Sequence, residues 1–201
     1  NENDQTVLSF DVNDPDNDTM AITAFWGDGS SSSLNSISGV VTFPAHTYLD
    51  DGLPSNPANA SEIYTITISI NDLNGNQINP TTTLTVNNID PVLSNVVANP
   101  NQVVGGSGNL VTISGNVSDI GSLDTQIVDI DWGGGFATSN VAVVNGFFTA
   151  SHAYALETQV TTYNALVKAT DDDGGVTTQT VFVTVDPQPN GGSNTAPTIS
   201  N

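Results

Sequence analysis

The chain has 201 residues, with 1 Lys or Arg against 21 Asp and Glu and a net charge of −20. Nothing on such a surface can displace counterions from phosphate, which excludes nucleic acid as a partner, and the same balance argues against an anionic membrane surface. The length allows one large domain or two of about 100 residues, there is no Cys to build a disulfide framework, and no apolar run approaches the roughly 20 residues of a membrane span.

The opening "NENDQTVLSF" reads as the middle of something, so the chain is expected to be a fragment of a longer protein. It runs into "DVNDPDND" (11–18), which places Asp11, Asn13, Asp14, Asp16, Asn17 and Asp18 within eight positions. Hard oxygen donors at alternate positions of a tight loop suit calcium, which accepts six to eight oxygens in flexible geometry. The spacing is not that of an EF-hand, because the central Gly and the distal Glu are missing. A solvated turn whose carboxylates cap backbone groups has the same composition, and both readings stand at this point. Only Glu2, Glu62 and Glu157 among the acids are Glu. Asp prevails, and Asp belongs to turns and ion-binding loops rather than to helix surfaces.

"WGDGS" (26–30) follows, a large aromatic set directly before a Gly-rich turn, and then "AHTY" (45–48). In "YTITISI" (64–70), Tyr64, Ile66, Ile68 and Ile70 alternate with Thr65, Thr67 and Ser69. That is period two, a strand with one buried face and one wet face. "TLTVN" (83–87) reads as the last strand of this set.

The pattern then returns. Trp132, His152 and Tyr154 lie 106 residues after Trp26, His46 and Tyr48, and Tyr163 and Asp171 lie 99 after Tyr64 and Asp72. A period near 100 is one sandwich-sized domain, so the chain is two tandem domains. The second repeat has an opening strand "PVLSNVV" (91–97), then "NLVTISGNV" (109–117) and "SDIGSLD" (118–124), whose Asp119 and Asp124 align with Asp14 and Asp18. "VDIDW" (128–132), "WGGGF" (132–136), "SHAY" (151–154), "YNALVKA" (163–169), "DDDGG" (171–175) and "TVFVTV" (180–185) complete it. Gly134 stands where the first repeat has Asp28. No segment holds a sustained 3.6 period, and short strands between Gly, Asn, Asp and Pro clusters indicate an all-β fold of two antiparallel sandwiches.

These motifs resemble the PKD-type domain, named for polycystic kidney disease proteins. The resemblance rests on the Trp strand with "GDGS", "AHTY" and "YTITISINDLNG" (64–75), and on "DWGGG", "SHAY" and "YNALVKATDDDGG" (163–175). It covers nearly the whole chain twice, with Gly134 as the departure. It implies an immunoglobulin-like sandwich, an extracellular spacer or binding role without catalysis, and in some members a calcium site using the 11–18 loop and the residues entering the domain. The expected boundaries are 1–89 for a first sandwich lacking its opening strand, 90–187 for a second, and 188–201 for a linker and the first strand of a third. The tail "NTAPTISN" is similar to "NIDPVLSN" (88–95).

Each aromatic feature has a structural reading. Trp26 and Trp132 are expected to plug the core, Asp28 to cap the turn after Trp26, and His46 and His152 to be packed residues holding a backbone hydrogen bond. Tyr64 and Tyr163 resemble the tyrosine corner of Ig-like sandwiches. With one His per repeat and no Cys, no zinc set exists, and no G-x-S-x-G elbow is present for hydrolase chemistry. No catalytic residue is expected.

The candidate ligands are Asp14, Asp16 and Asp18, then Asp119 and Asp124, then Asp171 and Asp173 of the weaker "DDDGG" set, with calcium as the implied ion. The expected role is a non-catalytic structural or spacer repeat of a large secreted or surface-anchored bacterial protein, adhesive or filament-like. The expected partners are neighbouring repeats of the same protein. An opening strand missing from the first repeat and a spare one in 194–201 also admit head-to-tail self-association by strand donation. The alternative is a carbohydrate- or protein-binding accessory module of a secreted enzyme, with a polysaccharide or cell-surface ligand. That reading needs exposed aromatics on one face, for which Phe25, Phe136, Phe147, Phe148 and Phe182 are the candidates.

Overall fold

The computed structural model describes residues 1–52, 60–106 and 108–188, and every regular element among them is a β-strand. The tail 194–201, read above as a spare strand, lies outside the described residues. Two compact units are present. Among the described residues, the first contains those of 1–92, 118–126 and 170–176, and the second those of 93–117, 127–169 and 177–188. All residues of the site described below belong to the first unit.

In the first unit the strands are β1 (Gln5–Thr6), β2 (Ser9–Val12), β3 (Met20–Phe25), β4 (Ser31–Ser36), β5 (Gly39–Thr42), β6 (His46–Thr47), β7 (Ser61–Asn71), β8 (Gln77–Ile78) and β9 (Thr81–Asn87). One sheet runs β4-β3-β7-β8, with β9 also paired to β7. β2 pairs antiparallel with β5, and β1 with β6. Period two in the sequence becomes one buried face: Met20, Ile22, Ala24 and Trp26 along β3 meet Tyr64, Ile66, Ile68 and Ile70 along β7. Val41, Phe43 and Tyr48 close the core from the other side.

The second unit is built from β10 (Val92–Asn99), β11 (Gln102–Val104), β12 (Leu110–Ser118), β13 (Gln126–Gly133), β14 (Phe136–Ala142), β15 (Phe147–Ala153), β16 (Thr161–Asp171) and β17 (Val176–Asp186). Its sheets are β10-β12-β15 and β11-β17-β16-β13-β14, with β11 parallel to β17. Val111 and Ile113 of β12, Val128, Ile130 and Trp132 of β13, and Ala165, Val167 and Ala169 of β16 form the core. The chain is thus all-β, a sandwich in each unit.

The same aromatic kernel sits in both units. Trp26 and Trp132 are fully buried. Each indole N–H donates to a hydroxyl six residues on, Ser32 at 3.0 Å and Thr138 at 2.9 Å. Tyr48 and Tyr154 donate to the Trp26 and Trp132 carbonyls at 2.9 and 3.0 Å. The histidines depart from expectation. They stack on the tryptophans, with ring centroids 4.5 and 5.2 Å apart, rather than bonding to backbone.

Phe148 also departs. It is buried, 1% exposed, because period two in β15 turns it inward while Phe147 faces out. Phe25, Phe136, Phe147 and Phe182 are exposed but lie on β3, β14, β15 and β17. Phe136 and Phe182 share a sheet in which β13 and β16 separate their strands, so no aromatic strip forms.

Candidate metal centre

Four segments of the first unit bring carboxylates together. The chain start supplies Glu2, whose N–H donates to the Asn87 carbonyl at 3.0 Å. The turn after Tyr48 supplies Asp50 and Asp51. The 118–126 loop supplies Asp119 and Asp124, and it is tied to this turn by Ser122 N–H donating to the Leu49 carbonyl at 3.1 Å. The β16–β17 turn supplies Asp173. Donor oxygens of Glu2, Asp119 and Asp124 lie within 4.8 Å of one another, as do those of Glu2, Asp50 and Asp51, and those of Asp50, Asp124 and Asp173. Glu2 and Asp124 close in on Gly121, where a Cβ would come within 2.3 Å of Asp124 Oδ2 and Glu2 Oε2 and push the two carboxylates aside.

Glu2, Asp51 and Asp173 are buried, Asp50, Asp119 and Asp124 are half-buried, and all but Asp50 carry unpaired oxygens. Glu2 and Asp51 are 0% exposed and Asp173 5%. Glu2 Oε2, both oxygens of Asp51, Asp119 Oδ2, both oxygens of Asp124 and Asp173 Oδ1 accept no hydrogen bond. The sole basic side chain, Lys168, is engaged elsewhere, 3.1 Å from Asp129. No side-chain cation is left to offset the cluster, and an uncompensated buried carboxylate protonates instead. Burial, opposed by the Ile89 N–H and reinforced by Asp119 and Asp51, pushes Glu2 up to about 7. Burial and then the Glu2 and Asp119 charges push Asp124 up to about 8. Asp173 rises to about 7 and Asp51 to about 6, again through burial first and neighbouring acids second. Asp119 is raised by burial against the Gly121 N–H.

All-oxygen, anionic donors on turns, with no His or Cys among them, fit a hard cation of large and adaptable coordination. Calcium meets that description better than magnesium, which demands near-ideal octahedra, or zinc, which takes N and S.

The sequence-predicted residues divide. Asp119, Asp124 and Asp173 are in the cluster. Asp171 is buried beside it, 5% exposed, but serves as a turn cap. Its Oδ1 accepts from the N–H groups of Asp173 and Gly175 and its Oδ2 from the Asn88 amide. Asp171 and Asp173 of "DDDGG" are buried, whereas Asp172 between them is exposed. Asp14, Asp16 and Asp18 are not brought into any such grouping. Asp14 Oδ2 accepts from the Asp18 N–H at 2.9 Å, Asp18 Oδ2 from the Asn74 amide at 2.6 Å, and Asp16 is exposed. Glu2, Asp50 and Asp51 escaped sequence reasoning, because they come from loops far apart in the chain. The rarity of Glu was the one available signal.

A second polar grouping lies by the first-unit Trp. Asp28 Oδ1 accepts from Ser30 N–H at 2.9 Å and Ser30 Oγ–H at 2.6 Å, and Asp28 Oδ2 is 2.8 Å from His46 Nε2. Asp28 caps its turn as expected. Despite partial burial, the Ser30 and His46 contacts hold its carboxyl below the usual range. Acid, imidazole and hydroxyl are present, but Asp lies between Ser and His. In a hydrolytic triad the imidazole stands in the middle and receives the hydroxyl proton. This grouping cannot perform that transfer.

No family model matches the chain, and no curated protein matches it. Among solved structures, the chain is similar to a tetra-tandem repeat in the extending region of a large adhesion protein, at 16% identity and a TM-score of 0.49, over 92% of this chain and 46% of that one. It is also similar to a DUF3823 family protein from Bacteroides ovatus, at 12% identity and a TM-score of 0.35, over 92% of this chain and 100% of that one. A protein from Corynebacterium diphtheriae described as membrane anchored gives 11% identity and a TM-score of 0.32, over 96% of this chain and 53% of that one. The chain spans about half the length of the first of these.

Proposed function

We propose that the chain is a pair of PKD-type structural repeats from a secreted or surface-anchored bacterial protein, non-catalytic, and stabilised by calcium bound at Glu2, Asp50, Asp51, Asp119, Asp124 and Asp173. The supporting observation is the cluster itself: converging buried carboxylates in a chain whose one basic side chain is used elsewhere. Protons or a metal ion must supply the positive charge. At neutral pH and the millimolar calcium found outside cells, the ion wins, since extracellular calcium modules bind at about 10⁻⁴–10⁻³ M. Tandem sandwiches joined in one chain suit a spacer, and neighbouring repeats are its natural partners. The scattered exposed phenylalanines give the polysaccharide-binding alternative no platform.

Differential scanning calorimetry of the whole chain in calcium and in EDTA tests the reading. Calcium at about 1 mM against a Kd of about 10⁻⁴–10⁻³ M stabilises by about 0.4–1.4 kcal/mol per independent site. The transition of the first unit is expected to rise by several degrees. Replacing Asp124 and Glu2 by Asn and Gln removes that rise, whereas replacing Asp14 and Asp18 by Asn keeps it. A transition indifferent to millimolar calcium overturns the proposal.

A further inference from the structure

We propose that the cluster is polynuclear: it holds at least two divalent cations at once, bridged by Glu2, Asp50 and Asp124. This rests on the calcium reading above and adds the number of ions and the residues that join them. Three groupings of donor oxygens exist, and each pair of groupings shares one carboxylate. Glu2 belongs with Asp119 and Asp124 and also with Asp50 and Asp51. Asp124 belongs to the first of these and to the grouping with Asp50 and Asp173, and Asp50 closes the ring. A carboxylate has two oxygens and can ligate one cation with each, so a residue shared by two groupings is placed to bridge them. Asp51, Asp119 and Asp173 each belong to one grouping and are terminal ligands.

Charge points the same way. Six carboxylates carry six negative charges when ionised. A single divalent ion leaves four of them uncompensated, with Glu2 and Asp51 wholly out of solvent and no Lys or Arg available. Three divalent ions balance the six. The unpaired oxygens are also spread over the groupings: Asp119 Oδ2 and both Asp124 oxygens in one, both Asp51 oxygens in another, Asp173 Oδ1 in the third. Donors fall within 4.8 Å of one another only inside each grouping, so an ion seated in one grouping leaves unpaired oxygens of the others, and each one left over keeps a desolvation cost.

Ion counting tests this on the whole chain bearing Asp14→Asn and Asp18→Asn, which clears the other acidic loop. Native mass spectrometry, with calcium titration calorimetry alongside, is expected to show two or three calcium ions bound to that protein. Asp51→Asn, a terminal position, loses no more than one of them. Asp124→Asn and Glu2→Gln, both bridging, each lose at least two. Circular dichroism in EDTA confirms that each variant is folded before it is counted. No bound calcium in the parent overturns the calcium reading altogether. One bound ion keeps that reading and overturns the polynuclear site, as does a loss at Asp124→Asn no larger than that at Asp51→Asn.

Discussion

Trp26 and Trp132 sit in the same aromatic kernel, and the change from Asp28 to Gly134 beside them has a local cause. Gly134 has φ +65°, and a Cβ there would meet Tyr163 Cε1 at 2.9 Å. The Tyr163 ring therefore excludes the acid that the first unit keeps at Asp28. His152 Nε2 is left buried without a partner, and burial lowers its pKa. The sequence showed the Trp, the turn and the lost Asp. It did not show the cause, because Tyr163 approaches from another strand. Trp26→Ala should cost roughly 3–5 kcal/mol, the range for emptying a large aromatic site. Asp28→Gly should cost about 1 kcal/mol, since the lost bonds to Ser30 and His46 sit at a partly solvated turn. Gly134→Asp should cost about 1–3 kcal/mol through overpacking against Tyr163, and should not rescue His152. Urea melts of the whole chain rank the three. A Gly134→Asp variant as stable as the parent would remove the steric account, and Asp28→Gly costing more than Trp26→Ala would remove the capping one.

Strands and loops were legible to different degrees. Period two marked β7, β13 and β16, because a strand half-buried in a sandwich must alternate. The acidic loops were visible as composition only. "DVNDPDND" and "SDIGSLD" look like better and poorer versions of one loop, yet the poorer one meets Glu2, Asp50 and Asp51. What makes a site is convergence and burial, and neither is local in sequence. The pH dependence of the metal-free protein follows. Glu2 at about 7, Asp124 at about 8, Asp173 at about 7 and Asp51 at about 6 are all raised above their unfolded values. The folded state then binds more protons than the unfolded one, so stability is fully present below about pH 4 and is lost as pH rises through about 6–8. In EDTA the first unit is expected to melt at higher temperature near pH 5 than near pH 8.5. Calcium should reverse the trend, because ligands must be deprotonated to bind it. Asp124→Asn in EDTA near pH 8.5 should stabilise by on the order of 1–3 kcal/mol, since it removes a buried carboxylate that nothing pairs. An EDTA melting temperature flat across that pH range would contradict the burial and charge described for these acids.

For the molecule as a whole, the contrast between the two sandwiches sets the expectation. β12 is flanked by β15 and β10, whereas its counterpart β2 pairs, among the described residues, with β5 alone. An open strand edge is a template for another strand, and "NTAPTISN" (194–201) has the sequence character of the β10 segment. The repeat spacing made that counterpart legible in the sequence, since alignment alone puts "PVLSNVV" before "NLVTISGNV". Whether the place beside β2 is taken by a neighbouring repeat of the same chain or by a second chain is a question of effective concentration, which favours the covalently attached repeat. Between separate molecules the contact is heterologous, so it grows open chains rather than closing. A charge of −20 on each chain opposes it, and this repulsion weakens with salt and with bound calcium. Strand addition between separate molecules through residues 194–201 would therefore be absent at low ionic strength in EDTA and strongest in calcium at high protein concentration. Multi-angle light scattering on the chain with and without those residues reads this directly. Oligomers that form in calcium from the whole chain and vanish on truncation support strand addition. Monomers from both forms under all conditions exclude it, and oligomers that survive truncation assign the contact to another surface.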